Sequence, residues 1–489
     1  MLELTKPLKA YYPNESIAFC IQLPDSLATR ELQLRVRRPL FSVPGTVTAR
    51  TVSCGANDLR LQEPGYYEIE LLAGETRLDA KGLVVLPAHP IPQSKRMGMG
   101  IYGDRHSNAM FADMVRLCAY VGIGTVREDF KWEHLEPERG RLKWDDADRI
   151  VDVYKKHEIE VLAVISGSPP WSSAEPATHK WCDPPADPQD YVAFVKKLAQ
   201  RYWPAIRRYE VWNEPDWHLK DDYANSFAGS AEQYSILLQK TYDALKAMHE
   251  DVDVHNGGLS LCSRDADFLQ DCIDCCGRIC FDTLNLHAYA SWDSIDRQRS
   301  IVARYSPAVE TWIGESGMAA APGANSAADK TTFLINRLTA SILKDIKRFI
   351  WYDFRNDGFD VDNNEHNFGL ITHDGYALPA LQAYMTCSGL LGSAEPAGEW
   401  DFGEGCLCTA LADGDRWVFV VRAQPESLGC AGFRNVQLVD AYGCRRDVGD
   451  RPEHIWFTWR PLLIVAPRDA DPKQAFAQRV QARGPVRTP

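Results

Sequence analysis

Two short stretches hold most of the chemistry readable in this sequence. Ile206-Arg-Arg-Tyr-Glu-Val-Trp-Asn-Glu-Pro-Asp-Trp217 begins as a β run and breaks at Asn213-Glu214-Pro215, because proline cannot donate to a strand ladder. An amide and a carboxyl are left side by side at a strand's C-terminal end. Ala308-Val-Glu-Thr-Trp-Ile-Gly-Glu-Ser-Gly317 is a second strand-like run ending in a lone carboxylate, Glu315. The two glutamates are roughly 100 residues apart, or about three βα units of an eightfold barrel at roughly 30 residues each. If Glu214 closes the fourth strand, Glu315 closes the seventh, and both open onto one pocket. Two carboxyls converging there are the minimal equipment for cleaving a glycosidic acetal.

Holding such groups takes a scaffold of parallel strands. From about residue 96 the sequence alternates strand and helix patterns. Eight strand candidates follow: Met97–Tyr102, Gly124–Arg127, Glu160–Ile165, Arg208–Trp212, Asp253–Gly257, Thr283–His287, Thr311–Ile313 and Arg348–Asp353. Amphipathic stretches such as Asp146–His157, Tyr191–Arg201 and Glu232–His249 lie between them. The pattern predicts a (β/α)8 barrel over 96–386. A doubly wound sheet is the competitor, but no glycine-rich phosphate loop follows the first strand.

On either side the pattern is all-β. Alternation in Glu31–Arg37 and Tyr66–Leu72 predicts an N-terminal β-sandwich-like domain over 1–95, ending in the proline-rich linker Leu86–Ser94. Cys406–Leu411, Trp417–Arg422, Asn435–Asp440 and Pro461–Ala466 predict a C-terminal β-sandwich over 387–489, with a polar tail from Arg468.

The strand C-termini of the expected barrel share a character. They present Arg127, then Trp132; Trp171 in Ser166-Gly-Ser-Pro-Pro-Trp171; Asn213, Glu214 and Trp217; His287 and Tyr289, then Trp292; Glu315; and Trp351. Flat aromatic faces suit the C–H faces of sugar rings. Trp132, Trp171 and Trp217 read equally as groove wall or core and His287 equally as a site residue or a packed histidine, while Arg127 reads as a site residue with a rim salt bridge to Glu128 or Asp129 as the alternative. Asp353, Asp357, Asp360 and Asp362 lack a calcium-loop signature and read as a solvated loop.

Taken together, Asn-Glu-Pro after strand four, Glu after strand seven, Arg after strand two, His-x-Tyr after strand six and Trp on strand eight resemble clan A of the glycoside hydrolases. Trp132…Glu136-Pro-Glu-Arg-Gly-Arg-Leu-Lys-Trp144, Ser166–Trp171 and Glu365-His-Asn-Phe-Gly-Leu370 resemble glycoside hydrolase family 39 within it. The resemblance implies Glu214 as general acid/base and Glu315 as nucleophile of a retaining double displacement. It implies Asn213 on the sugar 2-hydroxyl, Arg127 and Tyr289 on Glu315, His287 lining the subsite and Trp351 as its floor. No metal or cofactor is implied. An exo-acting β-glycosidase of the β-xylosidase type is expected. An endo-acting polysaccharide hydrolase, or a catalytically silent carbohydrate-binding protein, is the alternative.

Bulk properties agree. The chain has 489 residues, 45% hydrophobic and 25% charged, as in ordinary globular proteins. A net charge of −13 argues against nucleic acid or anionic membranes as partners; the partner that the resemblance implies is an oligo- or polysaccharide. No membrane-length apolar run or signal-peptide pattern is visible, so a cytoplasmic location is expected. Cys262, Cys272, Cys275, Cys276 and Cys280 lack zinc-site spacing and read as small apolar residues around a helix and turn.

Overall fold

Eight parallel strands close on themselves in the computed structural model of the chain: Ser94–Gly100, Ile123–Asp129, Glu160–Ile165, Ile206–Asn213, Asp253–Gly258, Thr283–His287, Glu310–Ser316 and Arg348–Trp351. Each pairs with the next, and the eighth returns to the first, with Phe349 opposite Met97. The structure describes all residues except 25–26, 28–30, 40–46, 218–225, 262–266, 290, 402–406, 423–426, 429–434, 448–454, 457–460 and 469–489. Cys262, Cys406 and the tail after Arg468 lie outside the described residues. This is a (β/α)8 barrel with β-sheet regions on both flanks.

The strands form because their runs are apolar enough to be covered on both faces, as parallel strands must be. Strand six is buried at every position. The helices between them carry a single apolar stripe. Asp145–Lys156 buries Ala147, Ile150, Val151 and Tyr154, and opens with Asp145, Asp146 and Asp148 near its positive end. Pro188–Tyr202 starts where the Asp187 side chain accepts from the Gln189 N–H, and Ala231–Met248 starts with a Ser230/Gln233 capping box.

The expected eighth strand ran to Asp353, but the ladder stops at Trp351. Asp353 is not solvated: it is buried near the buried Lys330. Lys330 donates to the carbonyls of Asn367 (2.9 Å) and Gly369, pinning the excursion that follows strand eight.

The N-terminal ends of the strands meet in an ionic network. Glu160 receives Arg208 (2.9 Å), Arg348 (2.6 Å) and Lys95. Arg208 also reaches Asp253 at 3.3 Å, and Asp253 accepts from Thr283 at 2.9 Å. Burial works against these carboxylates, but their cationic and hydrogen-bonding neighbours hold both below the usual range.

Residues before the barrel form a three-stranded antiparallel sheet (Leu2–Leu4, Ile17–Ile21, Gly55–Leu59) and a five-stranded one built on the long hairpin Gly65–Ala73 and Thr76–Val85. They enclose a separate core around Phe19, Leu34, Ile69 and Leu83. One residue of that core comes from far away: Tyr376, on the turn after strand eight. Its hydroxyl accepts from Leu4 N–H at 3.3 Å, while Lys9 N–H donates to Gly375 carbonyl at 3.0 Å. Gly375 has φ +83°, and a Cβ there would lie 2.1 Å from the Pro7 carbonyl, so only glycine fits.

After the barrel, six strands form an antiparallel sheet in the order Glu395–Asp401, Leu407–Asp413, Arg416–Arg422, Leu462–Pro467, Gln437–Val439, Arg445–Asp447. Its Leu411, Val418 and Leu463 join the main core of the barrel.

Candidate active site

Glu214 and Glu315 come together at the C-terminal end of the barrel, where strand-end side chains face one cavity. One carboxylate oxygen of each, with a ring nitrogen of His287, lie within 4.8 Å of one another. The cavity has a volume of about 640 Å³. Both carboxyls line it, as do Arg127, Asn213, Trp217 and Tyr289.

The backbone at strand four is unusual. Trp212 has φ +73° and Glu214 φ +43°, conformations that persist only where surrounding contacts enforce them. Here the Trp212 indole is fully buried against Tyr191 and Phe227, and Glu214 N–H donates to the Gly258 carbonyl (3.1 Å). Asp216 then ties the turn to the next loop, accepting from Ser260 N–H (2.8 Å) and Leu261 N–H (3.1 Å).

The two glutamates have different company. Glu315 accepts from Arg127 Nη1 at 2.8 Å and Tyr289 Oη at 2.7 Å, with Tyr102 Oη at 3.5 Å. Glu214 has one close side-chain partner, His287 Nδ1 at 2.7 Å. Burial pushes Glu214 up to about 7, Arg127 opposing and Glu210 adding to it. Burial raises Glu315 too, but His287, Arg127 and Tyr289 pull against it. Two strong donors favour the charged form, so Glu315 ionises first and Glu214 keeps its proton longer.

Arg127 does not pair with Glu128 or Asp129. It is fully buried and forks onto Glu210, Nε to Oε2 at 2.8 Å and Nη2 to Oε1 at 2.9 Å. Its Nη2 also donates to Asn213 Oδ1 at 2.5 Å, which leaves the Asn213 amide nitrogen free to face the cavity. Glu210 accepts a further bond from Gly258 N–H at 2.8 Å, and neighbouring Arg127 holds its pKa low against complete burial. Gly258 also makes room: a Cβ there would sit 2.0 Å from His287 Nε2. His287 is therefore placed behind Glu214 rather than on the open wall.

Three expected residues lie elsewhere. Trp351 is fully buried and packs edge-on against Phe333 of the helix Ala327–Leu343. Successive strand residues point to opposite faces, so the next residue, Tyr352, lines the cavity instead. Trp132 is core, hydrogen-bonded to Glu136 at 3.0 Å and packed on Phe194, Tyr191 and Trp171. Trp171 donates to the Glu136 carbonyl at 2.7 Å and lies under Arg139. Sequence reasoning missed Glu210, whose signal was a charge in mid-strand, and the loop residue Trp181, which had none; Glu365 and Phe368 also line the cavity, and their signal was the Glu365–Leu370 motif, to which no site role had been given.

Among the described residues, Glu214, His287 and Glu315 are also the one trio spaced to hold a metal ion. A cation there would displace Arg127 from Glu315 and His287 from Glu214, so the donor set fits poorly. Within the cysteine cluster, Cys272 and Cys276 lie against the carbonyls of Ala231 and Ser235.

No family model matches this sequence, and no curated protein matches it. By structure it is similar to a family 39 glycoside hydrolase from the gut symbiont Bacteroides cellulosilyticus WH2, at 18% identity and TM-score 0.76, covering 95% of this chain and 100% of that one. It is also similar to a family 39 β-xylosidase from Caulobacter crescentus (16%, TM-score 0.56, 78% and 97% covered). A third is a family 30 endoxylanase from Clostridium papyrosolvens C71 (10%, TM-score 0.53, 78% and 98% covered). The resemblance drawn from the motifs thus has its counterpart in the fold.

Proposed function

We propose that this protein is a retaining glycoside hydrolase acting on terminal β-linked sugars, with Glu315 as nucleophile and Glu214 as acid/base. One observation carries the reading: two buried carboxyls have oxygens within 4.8 Å across a cavity, one held by an arginine and a phenol, the other with a raised pKa. Retaining enzymes place their carboxyls about 5–5.5 Å apart, whereas inverting ones leave about 6.5–9.5 Å for a water.

In the first step Glu214 donates its proton to the leaving oxygen as the glycosidic bond breaks, and a Glu315 oxygen bonds to the anomeric carbon. In the second, Glu214, now ionised, takes a proton from water, whose oxygen displaces Glu315 and restores both carboxyls. The free Asn213 amide is placed to hold a sugar hydroxyl. Exo action is supported by the strand-eight excursion, which walls one side of the cavity with Tyr352, Glu365 and Phe368.

The test is the anomer first released from an aryl β-glycoside, read by proton NMR, with Glu315→Ala alongside. The β anomer, with turnover lost in the variant, supports the proposal; the α anomer overturns the mechanism. Mixed-length first products from an oligosaccharide would replace exo with endo action.

A further inference from the structure

The cavity has an open aromatic where a leaving group must go. A glycosidic oxygen taking a proton from Glu214, with Glu315 on the opposite face of the anomeric carbon, projects the rest of the substrate past Glu214 and away from Glu315. The loops after strands three and four, which adjoin the strand end that carries Glu214, wall the cavity through Trp181 and Trp217. Trp181 is 45% exposed, the one exposed large apolar side chain among the described cavity-lining residues. Its neighbours hold its backbone. The Trp181 carbonyl accepts from Ser168 N–H (2.9 Å), Lys180 N–H donates to Asp183 Oδ2 (2.8 Å), and the Cys182 carbonyl accepts from Ala228 N–H (2.8 Å). An indole left in water on a fixed backbone suits a flat apolar ligand face, which a pyranose with equatorial hydroxyls presents through its C–H bonds.

We infer that Trp181 is the platform for the leaving-group sugar, so that the site selects β-linked di- and oligosaccharides over glycosides with a small aglycone. This rests on the glycosidase reading, and it adds that specificity resides partly on the strand-three loop. Trp181 acts by stacking and takes no part in bond making.

The decisive measurement compares a substrate that has a leaving-group sugar with one that has none. The probes are β-1,4-xylobiose and β-D-xylosyl fluoride, with cellobiose and β-D-glucosyl fluoride as the parallel pair. Trp181→Ala is expected to lower kcat/KM on the disaccharide about tenfold, mostly through KM, and to leave the fluoride within about twofold. Trp181→Phe should fall between, and it guards against misfolding of the alanine variant. Equal losses on both substrates, or none on the disaccharide, would overturn the assignment. Wild type inert toward both fluorides would instead overturn the hydrolase reading. Calorimetric titration of xylotetraose into the inactive Glu315→Ala protein, with and without Trp181→Ala, then decides the platform by itself: weaker binding in the double variant sustains it, and unchanged binding refutes it.

Discussion

The two ends of the barrel are both lined with buried charge, and they treat their carboxylates in opposite ways. At the N-terminal end, Glu160 is surrounded by Lys95, Arg348 and Arg208, and Asp253 by His255, Thr283 and Arg208, which outweigh burial and hold both below the usual carboxylate range. At the C-terminal end, burial wins, and Glu214 titrates near 7. Composition is similar; cation supply differs. A carboxyl whose charge is fully compensated stabilises the fold, whereas one kept short of partners retains a proton that it can deliver.

Glu315→Ala should break the upper end most severely, lowering turnover on the order of 10⁶-fold, as expected for a covalent nucleophile. Azide should restore activity and yield the α-glycosyl azide; a β-azide would exchange the roles of the two glutamates. The Glu214→Ala variant should lose about 10²- to 10⁴-fold on sugar leaving groups and far less on a glycosyl fluoride, which needs no proton. In wild type the acid form of Glu214 exists below its folded pKa and is lost above it. Activity on disaccharides should therefore decline as pH rises through about 7, a limb absent from Glu214→Gln acting on the fluoride.

Disturbing the lower end should leave chemistry alone. Glu160→Gln should cost about 2 kcal/mol of stability, between exposed and buried ion pairs, with kcat unchanged. Because Glu160 has a lowered pKa when folded, its contribution is present above the usual carboxylate range and fades as pH falls through it. The wild-type advantage in Tm should shrink in acid, and equal Tm values at neutral pH would show that the network is ornamental. Tyr289→Phe is a finer probe of the upper end. Removing one charge-assisted donor should lower kcat about tenfold, and loss of that donor raises the Glu315 pKa, so the acid limb should move to higher pH. Trp351→Phe, away from the cavity, should change kcat/KM less than about threefold.

Strand ends were legible in the sequence because proline and glycine punctuate them. Glu160–Ile165 and Thr283–His287 are both predicted and observed strands, and Glu214 and Glu315 line one cavity, as their spacing in an eightfold barrel predicts, together with Arg127 and Tyr289, which the resemblance had put beside Glu315. What could not be read depended on which way a side chain turns or on how loops fold. Trp351 and Tyr352 are adjacent aromatics, and the alternation that sends one inward is set by strand register, which the sequence leaves open by one residue. Glu210 is a charge within an apolar strand, and such a charge demands a buried partner, which is Arg127. Trp181 and Phe368 reach the cavity through long excursions with no periodicity to betray them.

Tyr376 bears on how the chain could be shortened. Its ring belongs to the core of the N-terminal sheets, yet it sits on the same excursion that brings Glu365 and Phe368 to the cavity. A chain trimmed to begin at the first barrel strand would leave this aromatic in water and the excursion without its far tether. The trimmed barrel should melt earlier and exchange amide hydrogens faster across 364–376 than the full chain. A trimmed barrel that melts with the full chain would instead make the barrel an autonomous unit, with Tyr376 a tether it can do without.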